Sequence, residues 1–230
     1  MKADTHNPWG NSTTPFFAVL GPHRSGTSCV AMVMHALGVH LGDRLTGYEP
    51  TGGGEDVELI RICERAMPFP QLSPLLDDKS LENMLATWAG QLQGQAKLKG
   101  TVAGGKYPHL CRFVTHLHGG LNESLRIVLV QRDIEASIRS LQARSKKHNG
   151  KWFAATAQHC EDLQRSLIAH RDDFVNAHPE IPVLKIDFDR LIEATAETID
   201  QLIGFLGISP SQEQISKAIN HVNPALKQHG

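Results

Sequence analysis

The chain has 230 residues, 40% of them hydrophobic, and a formal net charge of −1. That length supports one domain with a real core, and the near-zero charge gives no general electrostatic affinity for nucleic acid or an anionic membrane. The four cysteines, Cys29, Cys63, Cys111 and Cys160, are far apart and form no C-x-x-C pair, so no disulfide framework or zinc ribbon is predicted and a reducing, cytoplasmic setting fits.

Residues 1–15 are polar and rich in Pro, Asn and Thr, without the apolar core of a signal peptide. They are predicted to be a flexible tail, with 16–230 forming a single domain. Phe16–Leu20 is an apolar, strand-like run, and Ser28–Leu37 a helix. Residues 46–54 hold Gly and Pro and read as a loop. Glu55–Ala66 has apolar residues at helical spacing, and three prolines in 67–74 end that helix. Lys79–Leu98 places Leu81, Leu85, Trp88 and Leu92 on one helical side. Thr101–Lys106 is a short strand and His109–Leu117 a helix. Arg126–Gln131 is a buried strand, followed by a helix over Glu135–Ala143. Trp152–Ala177 is a long helix, Val183–Asp187 a strand, and Thr195–Leu206 a helix closed by Gly207. No apolar run reaches membrane-spanning length. Strands alternating with helices predict an α/β fold, a three-layer arrangement with a central parallel sheet flanked by helices.

In such sheets ligands bind beyond the carboxyl ends of the strands. Three of those ends carry notable residues. After the first strand comes Gly21-Pro22-His23-Arg24-Ser25-Gly26-Thr27-Ser28. Gly21 and Gly26 have Walker A spacing, but Thr27 stands where that loop has lysine, and the cation is inside, at Arg24. A loop of this form aims backbone N–H groups at one point, with a helix N-terminus behind it, and suits a phosphate or sulfate. After Arg126–Gln131 comes Arg132, with Ser140 eight residues further on. An Arg fork and a hydroxyl suit a second phosphate. After the weak strand come Lys106, Tyr107, Pro108 and His109. Two anion sites on one sheet suggest a nucleoside donor phosphorylated at both ends.

These segments resemble the sulfotransferases that use 3′-phosphoadenosine 5′-phosphosulfate (PAPS). The 21–28 loop is similar to that family's 5′-phosphosulfate loop, and Arg132 with Ser140 to its 3′-phosphate motif. Gly105-Lys106-Tyr107-Pro108-His109-Leu110-Cys111 resembles a Lys-Asp-Pro-Arg-Leu segment of bacterial members, with Tyr107 and His109 replacing Asp and Arg. Gly52-Gly53-Gly54-Glu55-Asp56 resembles a Gly-aromatic-Glu stretch without its aromatic residue. Ile186–Leu191 and Leu202–Ile208 are close to the family's late strand and Phe-Leu-Gly helix end. The resemblance spans residues 16 to 226.

What the resemblance implies is a P-loop-like fold and transfer of a sulfuryl group from PAPS to a hydroxyl or amine, without a metal. Pro22, His23, Arg24, Ser25, Gly26, Thr27 and Ser28 would hold the 5′ end of the donor, and Arg132 and Ser140 the 3′-phosphate. Arg24 and Lys106 would stabilise growing charge. Glu55 is the first candidate for the base that takes the acceptor's proton, followed by His109 and His23, with Asp56 and Glu49 as further carboxylates. The acceptor, small-molecule or glycan-like, is not legible, since it falls to loops near 44–54, 67–78 and 144–152. His116-x-His118 lacks a third ligand nearby and reads as a polar helix end rather than a metal site. Trp88 and Trp152 read as packing residues. Two other classes compete: an ATP–Mg²⁺ small-molecule kinase, opposed by the missing Walker A lysine, and a non-catalytic nucleotide-binding module, which the altered 52–56 and 105–111 segments would suit.

Overall fold

The computed structural model describes residues 14–47, 53–67, 75–147 and 156–222. Four strands, β1 (Phe16–Leu20), β2 (Ala103–Lys106), β3 (Leu125–Gln131) and β4 (Val183–Asp187), form one sheet in the order β2-β1-β3-β4. Every pairing is parallel. In register, Val19 lies opposite Lys106 on one side and Val128 on the other.

The side-chain period of two in a strand divides the core into two layers. From β1, Phe16, Ala18 and Leu20 join one cluster, while Phe17 and Val19 join the other. From β3, Ile127 and Leu129 go with the first, and Val128 and Val130 with the second. The first layer is covered by α2 (Val57–Ala66), α3 (Asp78–Leu98), α4 (Leu110–Leu121), α5 (Ile134–Lys147) and α6 (Ala157–Ala177). The second is covered by α1 (Thr27–Ala36), α7 (Phe188–Glu193), α8 (Thr195–Leu206) and α9 (Gln212–His221). Both faces of β1 and β3 are therefore dry, which is why these strands read as unbroken apolar runs.

Several boundaries differ from those expected, for local reasons. The helix predicted from Glu55 starts at Val57, because the Asp56 carboxylate caps it, accepting the N–H groups of Glu58 and Leu59. Glu55 thus precedes the helix rather than opening it. The long helix predicted from Trp152 is described from Ala157, capped by Thr156, and Trp152 lies outside the described residues. The helix after Arg132 runs on to Lys147. Two helices were not anticipated, α7 and α9. Asp187, the last strand residue, also caps α7 through Arg190 N–H at 2.9 Å. Ser211 and Gln214 form a full capping box on α9, a signal present in the sequence as Ser-x-x-Gln. Gly207 closes α8 in the left-handed conformation, as predicted.

β1 and β3 lie side by side, yet the chain leaves them towards opposite faces. α1 packs on one layer, and α5 and α6 on the other. This divergence opens a crevice beyond their carboxyl ends. The 21–28 loop and Arg132 both stand at its mouth. Among the described residues, no helix is long and apolar enough to cross a membrane.

Candidate active site

The loop between β1 and α1 is shaped by close approach. A side chain at Gly21 would put its Cβ 2.7 Å from Ser25 Oγ and 3.0 Å from the Val130 carbonyl oxygen. Gly26 has φ +93°, and a Cβ there would lie 2.1 Å from the Phe188 ring. Both positions therefore require glycine. Ser25 Oγ donates to the Pro22 carbonyl at 2.8 Å, which folds the loop onto itself. Arg24 takes a left-handed φ of 63°, an uncommon conformation for a side-chain-bearing residue.

Arg24 Nε donates to Ser140 Oγ at 3.0 Å, and Arg132 donates to the Arg24 carbonyl at 3.1 Å. Three residues predicted for two separate anion contacts thus converge on one corner of the crevice. The Arg132 guanidinium lies 5.4 Å from the centre of the Phe188 ring, a cation–π contact. Burial, then Arg144 and Arg132, pull the Arg24 guanidinium down to about 10. The corner therefore holds concentrated positive charge that an anion would relieve. Asp133 caps the following helix, accepting the Ala136 N–H at 2.8 Å.

On the other side stands Lys106, the last residue of β2, only 2% exposed. Its ammonium donates to Ser28 Oγ at 2.8 Å and to the Gly53 carbonyl at 3.3 Å, and it forms an ion pair with Glu55. Thr46 Oγ1 donates to the second Glu55 oxygen at 2.5 Å. Burial alone would raise the Glu55 carboxyl, but the charge and hydrogen bond of Lys106 and the Thr46 hydroxyl outweigh it and hold the group below its ordinary value. A lysine is seldom this deeply buried without a charged partner, and Glu55 supplies one. Asp56 does not join this network. Beyond capping α2 it accepts from Trp88 Nε1 at 3.3 Å, beneath the site. Trp88 itself is a packing residue, edge-on to Phe16 at 5.3 Å. Glu49 lies outside the described residues.

His23 and His109 meet between these two corners. Their Nε2 atoms are 3.4 Å apart, and both rings are buried. Burial, then Arg112, push His109 down to about 4, and burial, His109, Lys106 and Arg24 hold His23 well below its ordinary value. Both rings are thus neutral near pH 7, and one donates to the other. Because the folded value of His109 lies below the unfolded value of 6.5, the unfolded chain binds the proton more readily between the two. This part of the stability is complete above pH 6.5 and is lost as pH falls towards 4. At pH 5 the loss from His109 is expected to be about 2 kcal/mol. Denaturant unfolding at pH 7.5 and pH 5 measures it. In His109→Gln the difference should shrink by that amount, and an unchanged difference would remove His109 as its source.

Of the candidates the structure describes, His23, Arg24, Ser28, Glu55, Lys106, His109, Arg132 and Ser140 meet at this crevice, while Asp56 serves as a helix cap beneath it. Thr27 is buried behind Gly21. Three supporting residues went unrecognised in the sequence. Gln164, fully buried on α6, donates to the His23 carbonyl at 2.5 Å and to Ser137 Oγ at 3.1 Å, fixing the loop's second turn. Phe188 walls the loop at Gly26, and Thr46 orients Glu55. A lone Gln, Phe or Thr carries no periodic or motif signal, so only the fold could reveal them.

The profile of the sulfotransferase domain family matches residues 17–225. The chain belongs to that family. No curated protein matches it at the level of sequence. Among solved structures, this sulfotransferase-family chain is similar to the sulfotransferase domain from the curacin biosynthetic pathway. That match has 16% identity and a TM-score of 0.61, over 90% of this chain and 78% of the other. It is also similar to the sulfotransferase domain of the Synechococcus PCC 7002 olefin synthase, at 16% identity and TM-score 0.57, over 96% and 85% of the two chains. The sulfotransferase STF1 of Mycobacterium tuberculosis H37Rv aligns at 15% identity and TM-score 0.55, over 91% and 72%. At such identities the likeness establishes the P-loop-like fold: a parallel four-stranded sheet flanked by helices, as predicted.

Proposed function

We propose that the protein transfers the sulfuryl group of PAPS to a hydroxyl or amine of a small-molecule or glycan-like acceptor. The observation that carries this reading is the convergence of Arg24, Arg132 and Ser140 on one corner of the loop, with buried Lys106 and Glu55 on the other. Arg132 and Ser140 suit the 3′-phosphate, while Arg24, beside them on the loop, together with Lys106 and Glu55 suits the reacting end. PAPS supplies an activated sulfuryl group whose leaving phosphate gains negative charge as the sulfur–oxygen bond breaks. The loop amides at the start of α1 and the Arg24 guanidinium face that charge, and no reorganisation is needed when it appears. Ser28 Oγ and the Lys106 ammonium, held 2.8 Å apart, bind the sulfuryl oxygens.

Glu55 accepts the acceptor's proton on its carboxylate. Held charged by Lys106, it is a weak base in the free protein. An anion in the loop competes with Glu55 for the Lys106 ammonium, and the carboxylate then regains proton affinity. The pair thereby couples donor binding to the strength of the base. Thr46 keeps the carboxylate oriented as this happens. The kinase alternative finds less support: β3 ends in Gln131 and Arg132, where a magnesium-binding carboxylate would be needed.

The donor assignment is tested by binding. Adenosine 3′,5′-bisphosphate should bind far more tightly than 5′-AMP, because charge-assisted contacts to the 3′-phosphate contribute about 1.5–3 kcal/mol each, about 10–150-fold. Arg132→Ala should remove most of that preference in calorimetry while circular dichroism stays unchanged. Equal affinity of the unmutated protein for the two nucleotides, or tighter binding of ATP–Mg²⁺ than of the bisphosphate, would defeat the assignment.

A further inference from the structure

The pair His116-x-His118 has no third ligand nearby in sequence, but the fold supplies partners from elsewhere. α4 runs from the crevice back towards the amino-terminal ends of the strands, so its last turn, with His118, lies about 13 Å along the helix from His109. α6 ends at the same level, where His178 is its C-cap, and Glu180 follows in the turn that leads into β4. That turn is closed by the Ile181 N–H on the His178 carbonyl at 3.2 Å. One ligand atom each from His118, His178 and Glu180 lies within 4.8 Å of the other two. His116 is not part of this group: its ring pairs with Asp78 at 3.1 Å.

The geometry points to a binding site for a zinc-class divalent transition metal, held by His118, His178 and Glu180. Two imidazoles and a carboxylate are the donor set that zinc accepts with a fourth position left to water. Calcium and magnesium prefer all-oxygen sets, so two of the three donors select against them. The rings are already assembled. His118 and His178 stand edge to face at 4.7 Å between centroids, and both rest on Phe174, at 5.6 and 4.5 Å. Phe174 is buried and fixes their bases, while His178 Nδ1 meets a Glu180 oxygen at 2.9 Å. Among the described residues, the His118 side chain makes no hydrogen bond that would have to be broken. Tetrahedral zinc needs its ligands about 3.4 Å apart, so the cluster closes by about 1 Å through side-chain rotation. Glu180 is exposed, so its carboxylate can exchange the His178 contact for the metal without repacking the core.

The site lies at the end of the sheet away from the reacting groups. Its role is to clasp α4 to the turn between α6 and β4, joining residues sixty positions apart in sequence. Binding to the folded state alone raises stability by mass action.

The test uses the full chain, treated with chelator and dialysed, with zinc chloride as the probe in a non-coordinating buffer near pH 7.5. One zinc should bind per chain at this site, and the melting temperature should rise by about 5–10 °C when free zinc is about a hundredfold above Kd. Cobalt(II) should give the intense visible bands of a tetrahedral site. His178→Ala and Glu180→Gln should lose both the shift and the bands, and His116→Ala should keep them. If His178→Ala does not fold, the exposed position makes Glu180→Gln the deciding variant. No shift in the unmutated protein, or a shift that survives Glu180→Gln undiminished, would overturn the proposal. The latter result would place the zinc on other histidines.

Discussion

Glu55→Gln is expected to lower turnover by about 10²–10⁴-fold, the usual contribution of a general base. The amide keeps the shape, and its one carbonyl oxygen can still accept from Lys106 while its NH2 group faces the Thr46 hydroxyl as a donor, but it cannot take the acceptor's proton. Affinity for adenosine 3′,5′-bisphosphate should be kept or rise, because the neutral amide no longer competes with a bound anion for the Lys106 ammonium. The substitution also leaves Lys106 buried without its counter-charge. Breaking such a pair outright costs about 3–5 kcal/mol, and the remaining hydrogen bonds reduce that, so folding is to be verified by circular dichroism beside the kinetics. The pH profile gives an independent readout. As pH falls, Glu55 takes up a proton and activity is lost. In kcat/KM, which reports the free protein, that limb should lie below the ordinary glutamate value of 4.5, because Lys106 holds the carboxylate charged. In kcat it should lie higher, since the bound donor draws Lys106 away. Retained activity in Glu55→Gln together with its loss in His109→Gln would move the role of base to His109.

Arg24→Ala should lower kcat by about 10²–10³-fold, the magnitude found when one donor to a developing charge is removed. Binding of PAPS, whose bridging oxygen has not yet gained that charge, should weaken far less, by about tenfold, since Arg132, Ser140 and the loop amides remain. The asymmetry arises because Arg24 faces charge that grows only as the bond to the leaving group breaks. Arg24 also tethers Ser140 and receives Arg132 through its carbonyl, so donor affinity is the control for a collapsed corner. If affinity and kcat fell by equal factors, Arg24 would be a binding residue with no special role in the transition state. Arg24→Lys keeps the charge but not the fork to Ser140, and should recover only part of the rate.

Local sequence determined the parts of this protein that depend on neighbours along the chain. The apolar runs Phe16–Leu20 and Arg126–Gln131 had to be buried on both faces, and the alternation of strands with helices along the chain made that a parallel sheet with two helical layers. The glycines at 21 and 26 specified the tight turn from β1 into α1, because a side chain at either position would collide with its neighbours. Arg132 and Ser140 were legible as a pair because a strand end and the helix after it fix their spacing.

Tertiary structure alone decided how those pieces meet. Sequence reasoning assigned Arg24 and Arg132 to opposite ends of a donor, whereas the fold brings them within one hydrogen bond of each other. The burial of Lys106 against Ser28 and Glu55 follows from its place at the end of β2. Gln164, Phe188 and Thr46 became site residues only through contacts spanning from 9 to more than 100 positions of sequence. His118 gained partners sixty residues away only because α4 and α6 end at the same level. The physical reason is common to all these cases. Propensity, capping and strand burial act within a few residues, but electrostatic and hydrogen-bonded partners are chosen by which strand ends and helix ends the sheet order places together.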